Sequence, residues 1–175
     1  MNISPRPRFD PDLSVFACVC TILFCVATAR GYAADASCSI VFNAMLRLPT
    51  VPSHSFTTMQ MPGVGKITSE MINDGKKLYI LQDGKWKVSP MTPQDLLAQE
   101  KENIQNNKTT CSVVRDEAID GVGSTLYSIA ESDADGTTKS QVWISKASGL
   151  PVHAKLDTPA DTRYVYSGVT APAIN

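Results

Sequence analysis

Turn dipeptides punctuate this 175-residue chain: Asp74-Gly75, Asp83-Gly84, Asp120-Gly121, Asp135-Gly136 and Ser148-Gly149 each separate short runs rich in β-branched and aromatic residues. Gly and Asp tolerate the positive φ that tight hairpins demand, and apolar alternation on both sides supplies strands to join. The pattern predicts an antiparallel meander. Strands are expected over His54–Met61, Ile67–Ile72, Lys77–Leu81 and Lys85–Val88, then Ser112–Arg115, Ser124–Glu131, Lys139–Ser145, Leu150–Asp157 and Thr162–Gly168.

Two segments break the alternation. Between Cys38 and Leu48, apolar residues recur at helical spacing until Pro49 and Pro52 stop them. The second segment opens on Thr92-Pro93-Gln94-Asp95, with Thr92 as N-cap, Pro93 at the first helical position and Asp95 three residues after the cap. It runs to about Asn107, with Leu96, Leu97 and Ile104 as its apolar residues and Gln99, Glu100, Lys101 and Glu102 on a solvated side. The expected order is helix, four strands, helix, five strands.

Loop lengths turn these elements into faces, because a register slip of one residue sends every side chain to the other side. A two-residue loop at Asp83-Gly84 sets Leu81 opposite Trp86 and Tyr79 opposite Val88. A three-residue loop at Asn73-Asp74-Gly75 sets Ile67 and Ser69 opposite Leu81 and Tyr79. Ile67, Met71, Tyr79, Leu81, Trp86 and Val88 then share one concave face, leaving Leu78 and Ile80 on the other with no assigned cover. At Ala147-Ser148-Gly149 a three-residue loop puts Val142 and Ile144 with Val152, Ala154 and Leu156, and Trp143, His153 and Lys155 opposite.

The first residues read as an address. Arg6 and Arg8 precede an apolar run from Leu13 to Ala29 and a small-residue site at Ala34-Asp35-Ala36. A signal peptide over 1–36 is expected, ahead of a single domain over 37–175; an uncleaved anchor is the alternative, since the run approaches the length of a membrane span. Cys18, Cys20 and Cys25 lie in the leader, which leaves Cys38 and Cys111. In an oxidising compartment these two make a simple pair, closing a loop of about 70 residues worth roughly 4 kcal/mol; two separate buried thiols are the other reading. Asp35-Ala36-Ser37 lacks the apolar residue that a lipoprotein leader carries upstream of its cysteine. With 16 basic against 17 acidic side chains, no field attracts nucleic acid or an anionic bilayer, so membrane contact is expected only through an uncleaved leader.

The tail carries a resemblance. Val142-Trp143-Ile144, then Ser148-Gly149-Leu150-Pro151, then Arg163-Tyr164-Val165-Tyr166, taken with the order of elements, resembles exported domains of the LolA-like kind over the whole mature chain. The resemblance implies an α+β fold: a strongly curved antiparallel half-barrel wrapped on one or two short helices, with a concavity that in the lipoprotein carriers accepts acyl chains. It also implies a periplasmic or secreted location. The carriers' gating arginine and lid residues have no matching positions here.

Chemistry is sparse. His54 and His153 have no second ligand at metal spacing, and the chain has no Gly-x-Ser-x-Gly elbow, phosphate loop or dinucleotide fingerprint. Asp133 and Asp135 beside Gly136 lack the downstream Glu of a calcium loop. No metal, cofactor or catalytic residue is therefore expected. The functional expectation is a non-enzymatic binding protein holding an acyl chain, lipid or lipopeptide against Ile67, Met71, Tyr79, Leu81, Trp86, Val88, Leu97, Val142 and Ile144. A structural or interaction module with a filled core and an envelope-protein partner is the alternative, and a hydrolase would need a buried carboxylate and histidine in one pocket.

Overall fold

The structure is a computed structural model that describes residues 36–132, 136–157 and 160–174. The expected leader cleavage region before Ala36 and the Asp133/Asp135 turn lie outside the described residues. Helix α1 (Ala36–Arg47) ends in a single 3-10 turn (Leu48–Thr50). Strands β1 (Ser53–Met61), β2 (Gly65–Asn73), β3 (Leu78–Gln82) and β4 (Lys85–Val88) follow. Helix α2 (Pro93–Asn106) leads to β5 (Lys108–Ile119), β6 (Val122–Ser132), β7 (Thr137–Ser145), β8 (Pro151–Leu156) and β9 (Ala160–Val165). This is the order the sequence implied.

The strands form one curved, open antiparallel sheet in the order β4-β3-β2-β1-β9-β8-β7-β6-β5. The last strand of the chain, β9, sits in the middle, paired with β1 on one side and β8 on the other. Strands β4 and β5 are the edges.

The turns explain most of the register. Asp83 (φ 52°) and Gly84 (φ 69°) are both left-handed, the conformation whose twist matches that of the flanking strands, and they set Leu81 opposite Trp86 and Tyr79 opposite Val88 as expected. Asp120 (φ 49°) and Gly121 (φ 79°) repeat the device between β5 and β6.

The β2–β3 turn differs from expectation. Four residues, Asp74 to Lys77, connect Asn73 to its partner Leu78, so Ile72 pairs with Tyr79 and Met71 with Ile80. The cause is Asp74: its Oδ1 accepts from the amides of Lys76 and Lys77 at 2.8 and 2.7 Å, and its own amide donates to the Lys77 carbonyl. This Asx-type closure absorbs Lys77 into the turn. Relative to a three-residue loop the register moves by an odd number of residues, which reverses parity. Ile67 and Met71 therefore share a face with Leu78 and Ile80, and Tyr79, Leu81, Trp86 and Val88 lie on the opposite one.

Both helices cover the Leu78 face. Thr92 caps α2 in a full capping box, accepting from the Asp95 amide while Asp95 accepts from the Thr92 amide at 2.7 Å. Helix α1 packs over β5 and β7, and its buried residues Cys38, Val41 and Ala44 meet Cys111, Tyr127, Ile129, Val142 and Ile144 in one core. Cys38 and Cys111 are joined in a disulfide across 73 residues of chain.

The other face carries a smaller cluster of Leu126, Trp143 and Val152 with Ile119. Trp143, His153 and Lys155 share that face, as the loop argument predicted. The Trp143 indole donates to Glu117 at 2.6 Å, the His153 ring stacks on it at 4.7 Å, and Lys155 lies 5.8 Å from its centroid. Val152 departs from expectation: a bulge pairs Ile144 with Pro151 and releases Val152 to the Trp143 side.

Candidate functional site

The space between α2 and the sheet is not filled. A cavity of about 290 Å³ lies there, bounded by Met45, Leu48 and Pro49 from α1 and its 3-10 turn. Ser53, Ser55, Met71, Asn73, Leu78 and Tyr164 form its sheet side. The fourth boundary is the stripe Leu96, Gln99, Glu100 and Asn103 of α2, residues at i, i+3, i+4 and i+7 that one helix face must present together. Cavities of 150 Å³ hold a benzene ring, so this one accommodates an aliphatic guest about twice that size.

Its polar groups divide into spent and unspent. Asn73 is spent: its Nδ2 donates to the carbonyls of Pro49 and Val51 at 2.9 and 3.1 Å, and its Oδ1 accepts from the Gly75 amide. It bolts the 3-10 turn to the sheet and holds the cavity wall. The side chains of Gln99, Glu100 and Asn103 and the Tyr164 hydroxyl make no hydrogen bond or ion pair among the described residues. Burial, reinforced by the negative charge of Glu131, pushes the Glu100 carboxyl above the ordinary glutamate range. Burial, reinforced by Glu100, pushes Tyr164 up to about 12.

The expected ligand residues are distributed rather than gathered. Met71 lines the cavity. Val142 and Ile144 are 2% and 4% exposed, packed under α1 in the core with Cys38, Val41 and Ala44. Tyr79, Leu81, Trp86 and Val88 lie across the sheet, where Trp86 approaches His54 at 5.9 Å. Ile67 pairs with Met59 far along β2, and Leu97 lies off the α2 stripe that bounds the cavity. Leu78, left without cover by the sequence argument, is 2% exposed beneath this site. Of the residues expected on the solvated side of α2, Gln99, Lys101 and Glu102 are exposed and Glu100 is half-buried. The helical spacing of Leu96 and Glu100 held the missing signal, since a residue four after a core-facing leucine shares its face.

Neither histidine lies at the cavity. His54 pairs with Glu70 at 3.0 Å, and His153 with Asp161 at 2.6 Å, both on the opposite face. A second hollow of about 350 Å³ opens on that face beside Ile119, Leu150, Val152 and Val165, with the Arg163–Asp120 ion pair at its rim. Among the described residues no group of three or more His, Cys, Asp or Glu side chains could hold a metal, and no helix is long and apolar enough to cross a membrane.

No family model and no curated protein matches the chain. In fold it is similar to several solved structures. LprF from Mycobacterium bovis is 12% identical with a TM-score of 0.45, the match covering 76% of this chain and 94% of that one. The lipoprotein LppX from Mycobacterium tuberculosis is 12% identical with a TM-score of 0.42, covering 79% and 98%. A LolA superfamily protein from Nitrosomonas europaea is 10% identical with a TM-score of 0.33, covering 81% and 96%. At such identities the likeness concerns the course of the chain alone.

Proposed function

We propose that the chain is an exported, non-enzymatic binding protein that holds an apolar ligand, such as an acyl chain, a lipid or a lipopeptide, between α2 and the sheet. The observation that carries this reading is the 290 Å³ cavity, walled by Met45, Leu48, Pro49, Met71, Leu78 and Leu96. A carboxylate is present, but the histidines lie across the sheet, so no acid–base pair converges on the guest. The leader-like residues 1–36 and the Cys38–Cys111 bridge support release of a single domain, 37–175, into a periplasmic or secreted compartment.

Lipid extraction and mass spectrometry of protein purified from the exported fraction test the reading, with N-terminal sequencing of the same sample. A bound acyl compound, a start near Ser37 and a thermal shift on adding at least one of a fatty acid, a fatty alcohol, a fatty amine or a lipopeptide are expected. Met71→Trp, which fills the cavity, should abolish the shift. No lipid and no shift from any of these compounds would remove the proposal.

A second reading has its own support. Edge strand β5 leaves Val113 and Val114 56% and 46% exposed at a bulge, which suits pairing with an envelope protein. Crosslinking from position 113 in the native envelope separates the two.

A further inference from the structure

The half-buried residues of α2 include the apolar Leu96, Leu97 and Ile104, yet a charged residue, Glu100, bounds the cavity beside Leu96, with the exposed Gln99 and Asn103 at its rim. Glu100 is half-buried there and has no cation among the described residues. A carboxylate partly withdrawn from water with no cation beside it is costly, and the site offers no internal remedy. The charged and titratable groups that bear on it are Glu131 from β6, which is also negative, and the Tyr164 hydroxyl from β9; the residues of α1 and its 3-10 turn at the cavity are Met45, Leu48 and Pro49. The electrostatics and the shape are thus complementary to one kind of molecule. An aliphatic tail fits among Met45, Leu48, Met71 and Leu78, and a positive head fits at Glu100, with Gln99, Asn103 and Tyr164 available as further hydrogen-bond partners.

Building on the proposed apolar-ligand site, we infer that its ligand is an amphiphile with an amine head, bound as the ammonium by the Glu100 carboxylate. A carboxylate or phosphate head would instead add a like charge to Glu100 and Glu131. A neutral head would leave Glu100 without a counter-charge.

The test compares three probes of equal chain length, decylamine, decanol and decanoate, by titration calorimetry on the disulfide-intact mature protein and on Glu100→Gln. At pH 8 the amine should bind the wild type about tenfold tighter than the alcohol, the order expected of one charge-assisted hydrogen bond, and the acid more weakly than either. In Glu100→Gln the amine should lose its advantage and bind no tighter than the alcohol binds to the same variant. Lowering the pH through the raised Glu100 titration should erase the wild-type preference in the same way. Equal binding of the three probes, a preference for decanoate, or a preference for the amine that survives Glu100→Gln would overturn the inference while leaving the apolar site intact. Failure of all three to bind would overturn both.

Discussion

Two helices cover the same face of one sheet, and they cover it differently. Under α1 the interior is filled: Cys38, Val41 and Ala44 are small enough to bring the helix close, and the bridge to Cys111 pins it there. Under α2 a cavity remains, bounded on the helix side by Leu96 and the half-buried Glu100, with the exposed Gln99 and Asn103 at its rim. One helix of this fold thus covers a core and the other covers a cavity.

The contrast can be broken in four ways, of decreasing size. Replacing both Cys38 and Cys111 by Ser should cost roughly 4 kcal/mol and lower the melting midpoint by roughly 10 °C or more, because the bridge closes a long loop. Calorimetry with and without reductant checks this, and a reductant-insensitive midpoint in the wild type would contradict it. Next, Ile144→Ala in the filled half should cost about 3 kcal/mol, and Met71→Ala beside the cavity about 1 kcal/mol, since the methionine already faces space. Urea unfolding of the two variants measures the difference; equal costs would mean the halves are packed alike.

Thr92→Ala should cost about 1 kcal/mol through the lost cap, with hydrogen exchange accelerated in α2 and unchanged in α1. The smallest effect belongs to Glu100→Gln. The folded state holds the Glu100 proton to higher pH than the unfolded chain does, so wild-type stability falls as pH rises from the ordinary glutamate range through the raised folded value. The variant should match the wild type in acid and exceed it at neutral pH. Urea midpoints at pH 4 and pH 8 should show the gain only at the higher pH.

Where a turn is closed by backbone φ alone, the sequence was sufficient: Asp83-Gly84 announced both the pairing of Leu81 with Trp86 and the side they face. Where a side chain closes the turn, it was not. Asp74 has the same Asx-Gly signature, but its carboxylate captures two amides beyond the glycine, and that added length turned Tyr79 and Trp86 away from the site. The α2 cap and the cysteine pairing were legible because each depends on a few residues of fixed chemistry. The cavity was not, because empty space arises from how two elements stand apart, and no single residue encodes that separation.

The central position of β9 has a consequence for the order in which the molecule can be made. The strands before α2 and those after it meet only through β9, and Tyr164 on that strand is part of the cavity. A chain emerging from its N-terminus can therefore form hairpins, but it cannot join its two half-sheets or finish its container until β9 has been released. Until then the strands before α2 stay apart from those after it, and the cavity lacks one of its walls.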